Sequence, residues 1–266
     1  KLVPQPILGA YHYSMAKLGA LVYGFPSRKM LIIGVTGTKG KTSTANFIWG
    51  VLNSSGWKTG IVSTANMRIG DEEYPNVYHM TMPGRFEIQK WLKKMLEADC
   101  RAAVVETTSE GINQYRHKGI EYDFLVFTNL TPEHLPSHGG SFEKYKEAKG
   151  KIFVDLAKTK RKVLQDLVLK KIFIVNNDSE YKDYFLNFEA DKKITFGIRG
   201  QADYLAENIK TLNEETSFDI GPGHYVISIP GNFNVYNALP GIVIGKELGF
   251  SSANIAVGLK QLKNIP

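Results

Sequence analysis

A glycine-rich turn that ends in a lysine and a threonine is the part of this sequence best suited to bind phosphate. It contains Gly34, Gly37 and Gly40 and closes with Lys41 and Thr42. Backbone N–H groups in such a turn can surround phosphate oxygens, and glycine lets the backbone approach without a Cβ clash. Lys41 would reach the terminal phosphates of a nucleoside triphosphate, and the Thr42 hydroxyl would bind Mg²⁺.

The match is to the shorter Gly-x-x-Gly-Lys-Thr form, because Val35 stands where the strict pattern has glycine. The alternative is a glycine-rich turn with an incidental Lys-Thr pair. A buried strand before the turn and a helix after it favour the phosphate site. The turn predicts a nucleoside triphosphate, but it does not distinguish a ligase from a kinase, a GTPase or an ATPase.

The elements that must position this turn alternate between strands and helices. Compact apolar runs predict buried strands, and apolar residues at helical spacing predict helices. The alternation predicts an α/β fold of the P-loop NTPase-like type, a mostly parallel sheet with helices on both faces. The predicted strands are residues 31–36, 61–64, 102–106, 124–128 and 172–176, and the predicted helices are 41–55, 85–98 and 142–156.

The pattern changes after residue 193. Short strands at close spacing predict a small antiparallel extension near residues 194–230. Two helices close the chain. The predicted strands are residues 194–197, 202–212, 216–220 and 225–229, and the helices are 235–248 and 253–262.

The first residues predict a short amphipathic helix, at 7–23, that packs on the domain. Docking at a membrane surface is the alternative. No apolar run reaches the roughly 18 residues that a membrane-spanning helix needs, so no transmembrane segment is expected. We expect residues 1–28 to form an N-terminal helical segment and residues 29–266 to form one domain. The apolar residues at helical spacing are Leu8, Tyr11, Met15, Leu18 and Val22.

Composition is typical of a globular protein, with 43% apolar and 22% charged residues among 266. The net charge of +7 favours acidic partners such as nucleotides, although solubility alone would explain it equally well. Basic residues are scattered and no array of aromatic and basic residues appears, so nucleic acid is not an expected partner. The single Cys100 excludes an intramolecular disulfide and predicts a small buried side chain, which suits a reducing, cytoplasmic location.

Several segments, taken together and in order, resemble the Mur ligase family. The glycine-rich turn resembles the family signature, with Lys39 where asparagine is usual. Segment 106–111 resembles the family's Glu-x-Ser-Ser, and segment 128–135 its Thr-Asn-Leu-x-x-Asp-His-Leu. Segment 231–239 resembles Gly-x-x-Asn-x-x-Asn-Ala-Leu. His138, Gly139, Tyr145, Ala148 and Lys149 continue the second match.

The resemblance implies an ATP-dependent amide ligase of peptidoglycan precursor synthesis. ATP would phosphorylate a carboxylate to an acyl phosphate, an amine would attack it, and phosphate would leave. The implied catalytic residues are Lys41, Glu106, His134 and Lys149. The implied nucleotide contacts are Gly37, Thr38, Lys39, Gly40, Lys41, Thr42 and Ser43, with Asn234 and Asn237 at the adenine end.

Two Mg²⁺ ions are implied, because hard cations suit charge neutralisation at phosphate. Thr42 and Glu106 would hold the first, and Glu106 and His134 the second. Lys149 stands where the family carries a carbamylated lysine, which would support the second ion. The alternatives are a solvated helix lysine at 149 and a capped or surface histidine at 134. Glu133 precedes the histidine where aspartate is usual.

Two smaller points in the same motifs stay open. His138 follows a proline-containing turn, so we leave it out of the metal set. Asn234 and Asn237 could cap a helix rather than contact a nucleotide, since asparagine is a strong N-cap.

The acceptor positions resemble the MurE-type branch of the family, which acts on UDP-N-acetylmuramoyl-dipeptide. The implied contacts come from a Thr-Thr-Pro-like segment and from a Ser…Gln-x-Arg-like pattern. Arg116 suits carboxylate or phosphate recognition, and a surface charge is its alternative. The implied acceptor residues are Thr81, Met82, Thr108, Gln114 and Arg116, with Met82 departing from the second threonine.

Full-length relatives carry a uridine-binding domain before this region and an amino-acid-binding domain after it. We expect neither in this chain, since about 30 residues precede the turn, too few for such a domain. Other acceptors therefore stay open: lipid-linked precursors of the MurT type, cyanophycin and folylpolyglutamate. A nucleotide-binding module without ligase chemistry and a nucleic-acid-dependent ATPase are alternatives from other classes.

Overall fold

The computed structural model describes residues 5–78, 80–133, 135–165 and 167–263. Within them the helices are α1 Gln5–Val22, α2 Lys41–Ser54, α3 Arg85–Glu97, α4 Ser109–Asn113, α5 Phe142–Ala157, α6 Lys182–Leu186, α7 Asn232–Glu247 and α8 Ser252–Lys260. The first six strands along the chain are β1 Leu31–Thr36, β2 Thr59–Val62, β3 Asn66–Ile69, β4 Glu72–Pro75, β5 Ala102–Glu106 and β6 Phe124–Phe127. They are followed by β7 Val163–Leu164, β8 Leu167–Val168, β9 Ile172–Asn176, β10 Lys192–Gly197, β11 Tyr204–Leu205, β12 Glu207–Leu212, β13 Glu215–Ile220 and β14 Gly223–Ile227.

A nine-stranded sheet forms the centre of the described part of the chain, in the order β11-β10-β9-β6-β1-β5-β2-β3-β4. Neighbours from β11 to β2 pair in parallel, and β3 and β4 add an antiparallel edge. Strands β12, β13 and β14 form a separate antiparallel sheet, and β7 and β8 form a hairpin. The predicted α/β architecture is therefore confirmed.

Apolar residues of the central strands fill both faces of the main sheet. In β1, Leu31, Ile33 and Val35 pack into the layer formed with α2, α7 and α8. Ile32 points to the opposite layer, which α3, α5 and α6 cover. All six residues of β1 are buried, as expected for a parallel strand covered on both sides.

The carboxyl ends of β1, β5 and β6 meet at one edge of this sheet. Val35 lies opposite Glu106, and Thr36 lies opposite Phe127. The loops after these three strands are therefore neighbours, although they are far apart in sequence. Open α/β sheets bind ligands in such crevices outside the carboxyl ends of strands.

Two predictions for the region after residue 193 were wrong in detail. Strand β10 pairs in parallel with β9 and belongs to the main sheet, not to the antiparallel extension. The strand predicted at 202–212 divides into β11, which continues the main sheet, and β12, which starts the small one. Residue periodicity reports which side chains are buried but not the direction of the strand they pair with.

The apolar face predicted to pack on the domain was wrong, because Tyr11, Leu18 and Val22 are exposed. Helix α1 itself is present as predicted, and it lies on α3 outside both core layers. Its buried residues are small ones, Ala16, Gly19 and Ala20.

Strands β3 and β4 were not predicted, because they are short and only β3 has buried residues. Cys100 is buried at the end of α3, as predicted. Among the described residues, no helix is long and apolar enough to cross a membrane.

Candidate functional site

The glycine-rich turn connects β1 to α2 and packs closely against neighbouring segments. Gly37 and Gly40 have φ angles of 150° and 79°, which side-chain-bearing residues rarely adopt. A Cβ at Gly37 would lie 2.0 Å from Thr128 Oγ1, and one at Gly40 would lie 2.3 Å from Asn237 Oδ1. Glycine is therefore required at both positions by conformation and by space.

The segment that follows β6 holds the outer part of the turn. Asn129 accepts hydrogen bonds from the backbone N–H of Thr38, through its carbonyl, and of Lys39, through Oδ1, both at 2.9 Å. Thr128 Oγ1 donates to the carbonyl of Lys39 at 2.8 Å. These bonds direct the N–H groups of Thr38 and Lys39 toward the protein. The N–H groups of the first turn of α2 have no intrahelical acceptor and can therefore bind an anion.

Glu106, at the end of β5, is buried and is held by two threonines. Thr42 Oγ1 donates to its Oε2 at 2.9 Å. Thr64 donates twice, from its backbone N–H to Oε2 at 2.9 Å and from Oγ1 to Oε1 at 3.0 Å. Lys41 Nζ lies 4.0 Å from Oε1 and donates to the carbonyl of Thr38. Thr64 was missed in the sequence because its role depends on β2 lying beside β5.

Lys149 is 2% exposed, so the interpretation as a solvated helix lysine was wrong. Its Nζ donates to the carbonyl of Gly37 at 2.8 Å and lies 4.7 Å from the centre of the Tyr145 ring. Burial lowers the pKa of Lys149 well below its usual range, nearby Lys41 lowers it further, and Glu106 opposes this. The pKa of Lys41 is also lowered, chiefly by burial, with Glu106 opposing. Two lysines thus share one carboxylate in a buried space.

These residues line a cavity of about 160 Å³ at the carboxyl edge of the sheet. Acceptor residues Thr81 and Thr108 line the same cavity, and Thr81 Oγ1 is hydrogen-bonded to Thr64 Oγ1 at 2.7 Å. The cavity thus joins the phosphate end of the turn to the predicted acceptor side. Its lining includes Gly37, Lys41, Thr64, Thr81, Glu106, Thr108, Tyr145 and Lys149.

His134 lies outside the described residues, so its predicted metal role stays a prediction. His138, which we left out of the metal set, lines the cavity and is buried. Its Nε2 lies 3.0 Å from Ser109 Oγ and its Nδ1 lies 3.2 Å from Asn113 Nδ2. Within the described ranges, no group of three His, Cys, Asp or Glu side chains is placed to hold a metal. Of the predicted metal ligands, Thr42, Glu106 and Lys149 lie within the described residues and close together.

A second cavity, of about 330 Å³, lies on the other side of the turn. Asn237 lines it and donates to Asn234 Oδ1 at 3.2 Å, while Asn234 Nδ2 donates to the carbonyl of Pro230. Neither asparagine caps α7, whose N-cap is Gly231, so the capping alternative was wrong. Residues that were not predicted here include Asn129, Asn176, Asp178, Phe196, Phe233 and Tyr236.

The remaining acceptor residues form a tightly bonded group beside the first cavity. Arg116 donates to the carbonyl of Met82 and, at 2.6 Å, to Gln114 Oε1. Met82 is 1% exposed, and Thr108 caps α4 by accepting from the N–H of Gly111. Burial lowers the pKa of Arg116, with Glu110 opposing, so this guanidinium is not a free surface charge.

Arg85 is a further member of this group that the sequence did not single out. It donates from Nη2 to the carbonyl of Gln114 at 2.5 Å. Burial first, and then the charge of Arg116, lower its pKa. Two neighbouring guanidinium groups therefore lie among the acceptor residues, although neither lines the cavity.

A family model of the Mur ligase middle domain matches residues 35–245. This chain belongs to the Mur ligase family. The match contains residues 35–42 of the glycine-rich turn, Glu106, Lys149, Asn234 and Asn237, so the resemblance read from the motifs is confirmed.

Relatives within the Mur ligase family are similar over nearly the whole chain. A UDP-N-acetylmuramoyl-L-alanyl-D-glutamate–2,6-diaminopimelate ligase of Geobacillus thermodenitrificans is 34% identical over 268 residues, which cover 99% of this chain and 53% of the relative. Ligase 1 of the same name from Clostridium acetobutylicum is 35% identical, covering 95% and 50%. A UDP-N-acetylmuramyl-tripeptide synthetase of Roseiflexus sp. is 31% identical, covering 99% and 53%. The chain spans about half the length of these relatives.

Solved Mur ligase structures share the fold. A UDP-N-acetylmuramoyl-L-alanyl-D-glutamate–2,6-diaminopimelate ligase has a TM-score of 0.73 at 24% identity, covering 90% of this chain and 47% of that one. MurF from Acinetobacter baumannii has a TM-score of 0.68 at 19% identity, covering 94% and 49%. At these identities the likeness concerns the fold alone.

Proposed function

We propose that residues 29–266 form the ATP-binding unit of an ATP-dependent amide ligase of peptidoglycan precursor synthesis. The whole enzyme would activate a carboxylate of UDP-N-acetylmuramoyl-dipeptide as an acyl phosphate and join it to an amino acid in the cytoplasm. The observation that carries the proposal is the single cavity that unites Lys41, Glu106, Lys149 and Thr81 beside the glycine-rich turn. Residues 1–28 would form a separate helical segment.

The nucleotide would lie across the turn, with phosphates at the start of α2 and adenine in the second cavity. The first-turn N–H groups of α2 and the Lys41 ammonium supply positive charge to phosphate oxygens. The aromatic and amide side chains of the second cavity, among them Phe233 and Asn237, can stack on and hydrogen-bond to a base. Thr38, Lys39, Gly40, Ser43 and Asn234 border this path.

Two Mg²⁺ ions would be held, the first by Thr42 and Glu106 and the second by Glu106, His134 and carbamylated Lys149. Their oxygen atoms are the hard ligands that this ion prefers, and His134 adds an imidazole nitrogen. Bound Mg²⁺ would neutralise phosphate charge as it is transferred. The hydrogen bonds from Thr42 and Thr64 already orient the Glu106 carboxylate toward the cavity.

The surroundings of Lys149 support its carbamylation. The lowered pKa favours the neutral amine, which is the nucleophilic form. The nitrogen lone pair would attack carbon dioxide, a C–N bond would form, and one proton would leave to solvent. The product carries one negative charge, so the two lysines and two glutamates that line the cavity, Glu106 and Glu110, become one lysine and three anions. That balance suits a divalent cation better than the starting set.

The acceptor would enter on the side of Thr81, Met82, Thr108, Gln114 and Arg116. Arg116 and Arg85 present guanidinium groups at half-buried positions, where they can bind a carboxylate or a phosphate of the precursor. The carboxylate to be activated would then point into the first cavity, toward Lys41.

The test is thermal melting with Mg²⁺ and a non-hydrolysable ATP analogue, with and without UDP-N-acetylmuramoyl-dipeptide. At about a hundredfold excess over Kd the nucleotide should add about 2.7 kcal/mol, or several degrees in a chain of this size. Lys41→Met should lose this shift, while Lys144→Met, which changes an exposed lysine, should keep it. A further shift with the dipeptide precursor supports the MurE-type acceptor.

A nucleotide shift without any response to the dipeptide precursor points to another acceptor. Lipid-linked, cyanophycin and polyglutamate acceptors would then be compared in the same assay. No nucleotide shift in the wild type would contradict the proposal as a whole.

A further inference from the structure

A serine, a histidine and an asparagine form a hydrogen-bonded row at the wall of the first cavity. His138 Nε2 lies 3.0 Å from Ser109 Oγ, and His138 Nδ1 lies 3.2 Å from Asn113 Nδ2. Ser109 and His138 both line the cavity, and each is 5% exposed. The function proposed above gives no role to any of the three residues.

The imidazole ring of His138 packs against the ring of Tyr145, with 5.0 Å between the ring centres. Tyr145 is itself 1% exposed, and its hydroxyl is hydrogen-bonded to Thr38 Oγ1 at 3.0 Å. This packing fixes the orientation of the imidazole, with Nε2 toward Ser109 and Nδ1 toward Asn113.

The partners of Asn113 determine which nitrogen of His138 carries the ring proton. Lys151 Nζ, which can only donate, lies 3.0 Å from Asn113 Oδ1 and so identifies the amide oxygen. The Asn113 Nδ2 group is then the donor to His138 Nδ1, which accepts and therefore carries no proton. The proton of the neutral ring lies on Nε2, which donates it to Ser109 Oγ.

The hydroxyl proton of Ser109 is consequently left for a ligand of the cavity. The Ser109 oxygen accepts from His138, and within the described ranges its proton has no acceptor. Because Nε2 of the neutral His138 ring is already protonated, it cannot take the proton of Ser109, so the row is not arranged to make the serine a nucleophile. A buried donor of this kind suits an anionic oxygen of a ligand.

The neighbours of Ser109 indicate which anion this is. Ser109 follows Thr108, one of the predicted acceptor residues, and the cavity that it lines also contains Thr81 and Lys41. A carboxylate that enters from the acceptor side toward the phosphates beside Lys41 therefore shares this cavity with the Ser109 hydroxyl.

We propose that Ser109 donates a hydrogen bond to the acyl oxygen of the acceptor carboxylate, and that His138 and Asn113 are positioning residues that keep Ser109 a donor. The inference rests on the ligase function proposed above. When the amine attacks the acyl phosphate, the C=O electron pair moves onto this oxygen and one proton of the nitrogen leaves to solvent. The pair returns to carbon as phosphate leaves. Since the negative charge on the oxygen is greatest between these steps, the bond from Ser109 contributes most there.

The experiment compares Ser109→Ala and Asn113→Asp with the wild type. Ser109→Ala should lower kcat by on the order of a hundredfold, the effect of removing one donor to a developing oxyanion. In Asn113→Asp the new carboxylate accepts from Nδ1, so the ring proton moves there and Ser109 donates to Nε2 instead of to the substrate. This variant should lose about tenfold or more in kcat, although residue 113 is exposed and outside the core.

Two measurements are made on each protein at about pH 9, above the range in which imidazole usually titrates. Nitrogen-15 NMR of histidine-labelled protein reports which ring nitrogen of His138 is protonated, with the signals assigned through His138→Gln. The kcat is measured with ATP, UDP-N-acetylmuramoyl-dipeptide and the amino acid that gives the highest wild-type rate. The matched control is Ser228→Ala, which removes a hydroxyl that donates to the carbonyl of Lys260 and should keep the wild-type kcat.

The kcat should follow the position of the proton. The proposal is supported if the wild-type proton is on Nε2, if Asn113→Asp moves it to Nδ1 with loss of kcat, and if Ser109→Ala loses kcat but keeps the nucleotide-induced melting shift. It is overturned if the wild-type proton is on Nδ1, if Ser109→Ala keeps kcat within a few-fold, or if the proton and the kcat of Asn113→Asp do not change together. An inactive wild type without a nucleotide shift would contradict the proposed function instead, whereas the NMR measurement needs no substrate.

Discussion

Lys149 differs from the other lysines of α5 in its burial. Lys144 and Lys151 are exposed and Lys146 is half-buried, whereas Lys149 is buried against the carbonyl of Gly37. A buried ammonium is costly unless it is paired, and here Glu106 must also serve Lys41. The charge state of Lys149 therefore depends on which charged groups are buried beside it.

Replacing Lys149 by alanine should lower ATP-dependent product formation by on the order of a hundredfold, the effect of removing one electrostatic group at a reacting centre. The wild type, supplied with ¹³C-labelled bicarbonate, should show a carbamate resonance that the variant lacks. Lys144→Ala, on the exposed face of the same helix, should keep both rate and resonance. Activity of Lys149→Ala within a few-fold of the wild type would exclude the carbamate role.

Thr64→Val should raise the Mg²⁺ concentration needed for half-maximal activity by about tenfold. The change removes one hydrogen bond to a carboxylate, which contributes roughly 1.5–3 kcal/mol, and leaves the backbone N–H bond to Glu106 in place. Thr64→Ser should restore the wild-type Mg²⁺ dependence. If serine does not rescue, Thr64 acts through packing and not by orienting Glu106.

The turn between β1 and α2 is shaped by two elements that are distant in sequence. The segment after β6 binds its outer N–H groups, and Asn237 of α7 lies close to Gly40. Gly249, just after α7, has nearly the same backbone angle as Gly40, with φ of 78° against 79°, but has nothing within 4 Å of a Cβ. Substitutions at the two glycines can therefore be compared to distinguish the effect of backbone strain from the effect of steric crowding.

Gly40→Ala and Gly249→Ala should both lose roughly 1–2 kcal/mol of stability, because alanine disfavours this conformation. Gly40→Ala should also lose most of the nucleotide-induced melting shift, because the new methyl group meets Asn237. Gly249→Ala should keep that shift. Equal nucleotide binding by both variants would show that the turn tolerates displacement of Asn237.

A buried cluster of charged residues lies at the amino-terminal ends of the central strands. Asp123 is fully buried and pairs with Lys162 at 2.5 Å and with Lys171 at 3.0 Å. Lys162 also donates to the carbonyls of Met30 and Glu121. The cluster thus joins the hairpin region to the starts of β1, β6 and β9, on the opposite edge from the candidate site.

Burial lowers the pKa of Lys162 from 10.5 to about 8, with Asp123 opposing. Between these pH values the unfolded chain binds more protons at this position than the folded chain, so stability rises with pH. The unfolding free energy of the wild type relative to Lys162→Met should therefore increase by up to roughly 3 kcal/mol from pH 8 to pH 10.5. Urea denaturation would measure it.

In that experiment Lys158→Met, at an exposed lysine, should show a pH-independent difference from the wild type. A flat profile for Lys162→Met would mean that Lys162 remains protonated throughout the range. The variant should fold, because Lys171 still pairs with Asp123.

Much of the fold and of the candidate site could be predicted because the signals are local. The apolar run of β1, the glycines at 37 and 40, and the Lys-Thr pair are contiguous, and their conformation follows from steric and hydrogen-bonding rules over a few residues. The same holds for Glu106, which ends a buried run. Sequence by itself determined which strand, turn and helix could surround a phosphate.

Tertiary structure alone decided which distant residues meet there. Thr64 and His138 reach the cavity, and β10 joins the main sheet in parallel, because strand pairing and burial depend on partners far along the chain. The same reason makes Lys149 a buried amine, whereas Lys144 and Lys151 of the same helix remain exposed. Periodicity and composition indicate that a side chain is buried. The tertiary structure determines which groups surround that side chain, and those groups set its charge state and its reactivity.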